Sequence, residues 1–191
     1  EVQRLEDRTP YSLTSSYELF RRSFDKVYAL GADALQLGFL KVLAGTPLAA
    51  ETERHKIVYR QYAPYEVIST AYISAWELAR LKMIEEMLDT YYNRGGFSHT
   101  IAYLIEAVGE GAFRLYEKLA DFYYASGFQH RERKKDDQYR ILLQFARTLA
   151  QERDEPAIEE TALKMLTRDA EQSMNPENLK RFLRKGWEVK K

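Results

Sequence analysis

Cysteine is absent from this chain of 191 residues, and its absence excludes several kinds of site at once. Without a thiol the chain has no cysteine nucleophile, no disulfide, no cysteine-bound zinc and no cysteine-ligated iron–sulfur cluster. Long hydrophobic runs are missing too, because no apolar stretch approaches the roughly 18 residues of a membrane span. No signal-peptide pattern opens the sequence. We therefore expect a cytoplasmic protein with no membrane partner.

An excess of charge of either sign is also missing. Lys and Arg together number 29, and so do Asp and Glu, which gives a formal net charge of zero. Because proteins dedicated to nucleic acids usually carry a basic excess, this balance argues against a nucleic-acid partner. Residues 177–191 are locally basic, and we interpret that run as a solvated helix face.

Constellations of catalytic side chains are sparse. The three histidines, His55, His99 and His130, lie far apart and form no H-x-x-x-H or H-E-x-x-H motif, so each is interpreted as a surface or capping residue. Glu51 precedes His55 by four residues, but this pair is unique, whereas a di-iron bundle requires two Glu-x-x-His motifs. The sequence therefore predicts no catalytic residue, no metal site and no cofactor held by this chain alone.

Helical periodicity dominates what the sequence does contain. Ser16 is a predicted N-cap, and Ser74 with Glu77 forms a predicted capping box. We predict a mainly α fold, an antiparallel helical bundle with a small α/β remnant of one or two short strands near the N-terminus. The predicted helices lie near residues 16–30, 74–92, 98–108, 111–126, 136–152, 156–171 and 175–185.

Residues 34–43 differ from this pattern and predict a strand. Apolar side chains first alternate and then run almost without interruption, as in a strand buried on both faces. Thr46 and Pro47 then predict the start of a helix that reaches about His55, and residues 67–70 predict a second short strand. A lone strand needs neighbours for its backbone groups. These would come from another part of the protein or from a second copy, so we expect the isolated chain to self-associate, for example as a homodimer.

Aromatic residues cluster after the predicted α/β unit. Such a cluster builds a core, a protein interface or a base-stacking platform. Because stacking platforms normally have basic flanks and few are present here, a core with an interface is favoured. One reading is then a stand-alone helical interaction module, which docks partners through these aromatics and the basic last helix. The cluster comprises Tyr59, Tyr62, Tyr65, Tyr72 and Trp76.

Several segments resemble a known family. Residues 23–30 (SFDKVYAL) and 35–46 (LQLGFLKVLAGT) resemble the end of the barrel in cobalamin-binding radical SAM proteins. Residues 64–70 (PYEVIST), 81–87 (LKMIEEM) and 91–93 (YYN) are similar to a carboxyl-terminal domain of uncharacterised function in one branch of that family. The resemblance covers about residues 16–128, and residues 131–191 rest on helical periodicity alone.

The resemblance implies a division of the chain and a role for it. Residues 1–56 would be the remnant of the last α/β unit of the barrel, and residues 57–191 a helical carboxyl-terminal domain. That domain would be an accessory part of an enzyme of methyltransferase type, closing the barrel, contributing to substrate or partner recognition, and inactive by itself. The full-length protein would use a [4Fe–4S] cluster, S-adenosylmethionine and cobalamin. Its amino-terminal cobalamin and radical SAM domains would be this chain's partners.

The same resemblance implies which residues face the cavity of the intact enzyme. Active sites of α/β barrels lie at the carboxyl ends of the strands, so Gln36, Gly45 and Thr46 would line the S-adenosylmethionine or substrate cavity. Tyr65 and Glu66 are expected beside them. Because the chain has no cysteine, the cluster itself would be held elsewhere in the protein.

Overall fold

The computed structural model describes residues 16–128 and 133–188. Over these residues the chain is mainly α-helical, with one small two-stranded antiparallel sheet, so the predicted fold class is confirmed. The described residues form two compact units. The first unit comprises residues 16–31 and 36–85, and the second comprises residues 32–35 together with the described residues from Glu86 onward.

Three helices start in the first unit. Helix α1, Tyr17–Tyr28, begins as predicted at Ser16, whose Oγ accepts a hydrogen bond from the Leu19 amide. Helix α2 is only Pro47–Ala50, with Pro47 in the first turn, because residues 51–56 continue as turns and not as the predicted helix. Helix α3, Ala75–Leu88, follows the predicted capping box. In that box the Ser74 amide donates to Glu77 (2.7 Å), and the Glu77 amide donates to Ser74 Oγ (3.2 Å).

The sheet of the first unit is small. Strands β1, Val58–Tyr59, and β2, Val67–Ser69, pair antiparallel with an irregular register. The core beneath them consists of Val42, Ile57 and Val67 with partly buried neighbours. The partly buried residues that pack against this cluster are Leu40, Leu48, Ala49, Tyr59 and Leu78. Phe24, Leu81 and Ile84 are the other buried apolar side chains among the described residues of this unit. At roughly 1.5–3 kcal/mol for each buried side chain, this core is small.

The predicted strand at residues 34–43 is wrong. The segment runs without regular structure, and only Lys41 forms an isolated antiparallel bridge, to Glu66. Two backbone hydrogen bonds flank that bridge, from the Val42 amide to the Tyr65 carbonyl (2.8 Å) and from the Val67 amide to the Leu40 carbonyl (2.9 Å). The physical reason is the absence, among the described residues, of parallel neighbours that could form a ladder on either side.

The second unit is a helical bundle. Helices α4 (Ser98–Val108) and α6 (Lys135–Arg153) both pack against α7 (Ala157–Ser173), and α5 (Ala112–Ala125) packs against α4. Helices α6 and α7 are joined by a tight turn, with Asp154 in the left-handed conformation, so they run antiparallel as predicted. Helix α8, Pro176–Lys185, begins at the predicted Asn175–Pro176 pair and contacts α7.

A π-helical turn, Asp89–Asn93, follows α3. Its side chains hold residues 32–35 by hydrogen bonds. The Asn93 side chain accepts from the Leu35 amide (2.9 Å) and donates to the Leu35 carbonyl (3.0 Å). The Tyr92 hydroxyl donates to the Ala32 carbonyl. These bonds make residues 32–35 part of the second unit.

Aromatic rings run through the core of the second unit. Tyr91 contacts Phe97 (5.0 Å between ring centroids), Phe97 contacts Tyr139 (4.6 Å), and Tyr139 contacts Phe182 (5.7 Å). All four side chains are buried. Aromatic pairs at such distances stabilise a core beyond the area they bury, by roughly 0.5–1.5 kcal/mol each.

Helix α4 is capped at both ends by side chains from later helices. At its N-terminus buried Asp169 accepts hydrogen bonds from the amides of His99 (3.1 Å) and Thr100 (2.9 Å), and from the Thr100 hydroxyl (2.6 Å). At its C-terminus Arg153 donates to the carbonyls of Ala107 and Val108. A carboxylate at the first turn and a guanidinium at the last also match the helix dipole.

None of the helices in the described ranges is long and apolar enough to cross a membrane.

Candidate functional site

Two of the residues expected to line a cavity, Tyr65 and Glu66, lie on the turn before β2. Tyr65 has a positive φ of 58° and is 40% exposed, and its carbonyl accepts the hydrogen bond from Val42. Glu66 pairs with Lys41 across the isolated bridge. The structure therefore brings these two residues against residues 40–42, the end of the segment that the sequence predicted as a strand.

The carboxylate of Glu66 has a cationic partner that the sequence did not indicate. Lys82, on α3, donates from Nζ to Glu66 Oε2 at 2.5 Å, and the Glu66 side chain is 17% exposed. The same ammonium group lies 5.4 Å from the centroid of the Phe39 ring. Lys82 thus joins α3 to the irregular segment and to the residue before β2 through one half-buried ion pair and one cation–π contact.

Gly45 and Thr46 form a separate turn before α2. Gly45 has φ +80°, a conformation that favours glycine, and both the Thr46 amide (3.2 Å) and the Thr46 hydroxyl (2.7 Å) donate to the Leu43 carbonyl. Thr46 therefore closes this turn and does not cap α2 with its side chain as predicted. Gln36 is exposed. Among the described residues, neither Gln36 nor Thr46 forms a hydrogen bond with Glu66.

A second polar group in the first unit is centred on His55. The buried imidazole is bonded on both sides, with Nε2 2.9 Å from Glu51 Oε2 and Nδ1 3.1 Å from the Tyr72 hydroxyl. The His55 carbonyl also accepts a hydrogen bond from the Ala71 amide (2.8 Å). Because both ring nitrogens are bonded, the imidazole ties the turn after α2 to the loop before α3.

Exposed apolar side chains distinguish the first unit. Among the described residues, the large apolar side chains with substantial exposure fall mostly in this unit, whereas the second unit contributes Tyr124 and Leu183. We call the following group the exposed apolar residues of the first unit: Leu19, Leu30, Leu43, Val58, Tyr62, Tyr65, Ile68, Tyr72 and Trp76. Exposed apolar surface of this kind is typical of interaction sites.

Residues 53–191 match the family described as "Protein of unknown function (DUF4080)". That match covers more than half of the chain. The chain belongs to the DUF4080 family. Searches among curated proteins and among solved structures found no significant match. The predicted similarity to a carboxyl-terminal domain of uncharacterised function is confirmed at the level of an uncharacterised family.

Metal ligands were predicted to be absent from this DUF4080 chain. Within residues 16–128 and 133–188, no three His, Asp or Glu side chains are arranged so that they could hold a metal ion. Of the three histidines, His55 is the buried one described above, and His99 lies at the start of α4 with Nδ1 2.7 Å from Asp169. His130 lies outside the described residues.

Buried tyrosines of the DUF4080 domain have perturbed acidity. Burial raises the pKa of Tyr123 and of Tyr139 to about 12, and burial raises the pKa of Tyr91 as well. The hydroxyls of Tyr91 and Tyr123 lie 2.6 Å apart. These phenol side chains are buried in the helical core, so we interpret their role as structural.

Proposed function

We propose that this DUF4080 chain is an accessory carboxyl-terminal domain of a cobalamin-dependent radical SAM iron–sulfur enzyme, of methyltransferase type. In this proposal the domain packs against the rest of the enzyme, closes one end of its barrel and contributes to the recognition of substrate or partner. By itself the domain is not a catalyst. The sequence strings at residues 23–46 and 64–93 support the family context, and the surface of the first unit supports the packing.

The single observation that carries the proposal is the imbalance between the core and the surface of the first unit. Among the described residues of this unit six apolar side chains are buried, whereas nine large apolar side chains are substantially exposed. Burying an aromatic side chain such as Trp76 or Tyr62 contributes roughly 25 cal/mol per Å² of apolar area. A surface of this composition gains stability when it packs against another part of a protein.

The cofactors of the intact enzyme would be bound outside this chain. A [4Fe–4S] cluster is held by cysteine thiolates, and this chain has none, so the cluster, S-adenosylmethionine and cobalamin would be held by the amino-terminal domains. When bound there, they would supply radical and methyl-transfer chemistry. This chain would contribute residues to the wall of the cavity, and the candidates are Gln36, Gly45, Thr46, Tyr65 and Glu66, with Lys82 holding the Glu66 carboxylate in place.

The family context has a direct test in the gene. We expect the reading frame upstream of the codon for Glu1 to encode a C-x-x-x-C-x-x-C motif within about a barrel's length, roughly 200 residues. Anaerobically purified full-length protein should then show the absorbance of an iron–sulfur cluster and should cleave S-adenosylmethionine. A full-length product that lacks these cysteines would contradict the radical SAM context.

The packing role has a separate test with matched variants. The upstream domains and this chain are produced separately and their association is measured by calorimetry. We expect the double substitution Tyr62→Ser and Trp76→Ser to weaken association by tenfold or more, since two aromatic side chains that the proposed interface would bury are lost. Tyr124→Ser is the control, because Tyr124 is similarly exposed (57%) but lies on α5 in the second unit. Equal effects of both changes would contradict the role of the first unit.

The alternative function is a stand-alone helical interaction module, and the same exposed apolar residues favour it. Such a module would dock a separate protein and not its own upstream domains. It would be favoured if the upstream domains fail to associate with this chain although the exposed apolar residues remain necessary for its function in cells.

A further inference from the structure

A polar cleft of about 350 Å³ opens on the second unit beside α6. Arg140, Arg147 and Gln144 lie on successive turns of α6, and Trp187 and Glu188, which follow α8, line the cleft as well. Residues 140, 144 and 147 lie on one face of the helix because they are four and seven positions apart. The cleft is thus lined by two guanidinium groups, an indole, the amides of Gln144 and Gln151, and the Glu188 carboxylate.

Arg140 is the most constrained of these side chains. Its Nε donates to the Gly186 carbonyl (2.9 Å), its Nη1 donates to Asp137 (3.1 Å), and the Phe182 ring centroid lies 4.9 Å from its Cζ. The residue is 4% exposed, and in the part of the chain that is described its Nη2 is buried without a hydrogen-bond acceptor. Such a donor costs roughly 1–3 kcal/mol when it has no acceptor, so a ligand that brought an acceptor to Nη2 would be favoured.

Arg147 is held more loosely by two carboxylates. Its Nε donates to Glu159 at 2.8 Å, whereas its Nη1 lies 3.6 Å from Glu188, whose side chain is 80% exposed. An exposed ion pair at that distance contributes roughly 1 kcal/mol or less. The Glu188 carboxylate is therefore easily displaced by another anion that binds deeper in the cleft.

We propose that this cleft binds a small organic or inorganic oxyanion, through a carboxylate or phosphate group that pairs with Arg147 and supplies the acceptor for Arg140 Nη2. Guanidinium groups match the geometry of both kinds of oxyanion. The indole of Trp187 provides an apolar wall for an attached ring. In the free protein the Glu188 carboxylate stands in for the ligand's oxyanion at Arg147. This proposal uses only residues of the second unit and does not depend on the proposed accessory role.

The test uses Trp187 as the reporter. The chain has two tryptophans, and Trp76→Phe leaves Trp187 as the sole indole. Titration of this variant with inorganic phosphate and, separately, with benzoate should give a saturable change in indole fluorescence for at least one ligand. Preference for phosphate would assign a phosphate-type ligand, and preference for benzoate a carboxylate with a ring. Neither giving a saturable change up to about 20 mM would overturn the proposal.

Three variants in the same background make the test specific. We expect Arg147→Gln to weaken binding about tenfold, because one charge-assisted hydrogen bond is lost. We expect Glu188→Gln to strengthen binding about threefold, because a competing carboxylate is removed. Arg168→Gln, at an exposed site on α7, is the control and should leave binding unchanged. If Glu188→Gln weakens binding, or if Arg147→Gln and Arg168→Gln behave alike, the proposed site is wrong.

Discussion

Asp169 is a buried carboxylate whose oxygens accept four hydrogen bonds from the first turn of α4. We predict that Asp169→Asn lowers the free energy of unfolding by about 3 kcal/mol, because the amide that replaces one oxygen would face donors that it cannot satisfy. Urea unfolding followed by circular dichroism measures the loss. Glu171→Gln is the control, since Glu171 is exposed on the same helix. A loss below 1 kcal/mol for Asp169→Asn would contradict the capping role.

The raised pKa values of Tyr123 and Tyr91 predict how the stability of the protein changes at alkaline pH. Burial holds the pKa of Tyr123 at about 12, against 10.0 for an unperturbed phenol, and raises the pKa of Tyr91. The folded state therefore keeps protons that the unfolded state releases above pH 10, so this stabilisation is complete below pH 10 and is lost as the pH rises toward 12. We expect the free energy of unfolding to fall over that interval, as measured by urea titration at each pH.

A phenylalanine substitution checks the assignment of that alkaline response. Tyr123→Phe removes one of the titrating phenols, so the decline in stability between pH 10 and pH 12 should become shallower. At neutral pH the same change should cost about 1–2 kcal/mol, because the Tyr91 hydroxyl loses its partner at 2.6 Å. An unchanged alkaline slope would show that other groups control it.

At the scale of elements, the turn before α4 depends on Gly96. Its φ is +85°, and a Cβ added there would lie 2.6 Å from Lys135 Nζ and 2.9 Å from Ser173 Oγ. We predict that Gly96→Ala lowers the free energy of unfolding by about 2 kcal/mol, through backbone strain and displacement of those two groups. Gly127→Ala is the matched control, because Gly127 also has a positive φ (+67°) but, among the described residues, no atom lies within 4 Å of the added Cβ. Thermal unfolding should separate the two variants.

Local signals were sufficient to predict most helices. Helix α1 starts at Ser16 and α3 follows Ser74 and Glu77 because capping depends on residues three or four positions apart. Residues 34–43 were mispredicted for the opposite reason. A strand requires partners that are remote in sequence, and alternation of apolar side chains carries no information about whether those partners are present.

In the candidate sites too, contacts between residues close in sequence could be predicted and contacts between remote residues could not. The Glu51–His55 contact was visible as an i, i+4 pair, and Arg140 and Arg147 could have been noticed because they lie two turns apart on one predicted helix. The partner of Glu66 could not have been found, since Lys82 is 16 positions away on a different element. The cleft beside α6 is lined by Trp187, which lies far from α6 in sequence, and helical periodicity does not encode that approach.

At the scale of the whole molecule, the two units should differ in their opening free energies. The first unit has a small core and a two-stranded sheet, whereas the second contains packed helices and a row of buried rings. We predict that amides of β1 and β2 exchange their hydrogens much faster than amides in the middle of α4, α6 and α7, because local opening of the first unit exposes less apolar surface. Mass spectrometry of exchanged peptides measures this. Equal protection of both units would contradict it.

The isolated chain is also predicted to self-associate, since exposed apolar surface in the first unit can pack against a second copy. Sedimentation at increasing concentration should show a shift from monomer toward dimer. The shift should be reduced by Tyr62→Ser with Trp76→Ser and unaffected by Tyr124→Ser. A monomer at the highest concentration would mean that the exposed residues of the first unit do not suffice for pairing.

The two caps of α4 have a consequence for the way this chain is made. The carboxylate at its N-terminus comes from a residue 70 positions later, and the guanidinium on the Val108 carbonyl comes from one 45 positions later. During translation α4 emerges from the ribosome well before either group exists. The native caps of α4 can therefore form only after α6 and α7 have been synthesised, so we expect the second unit to complete its fold late in translation.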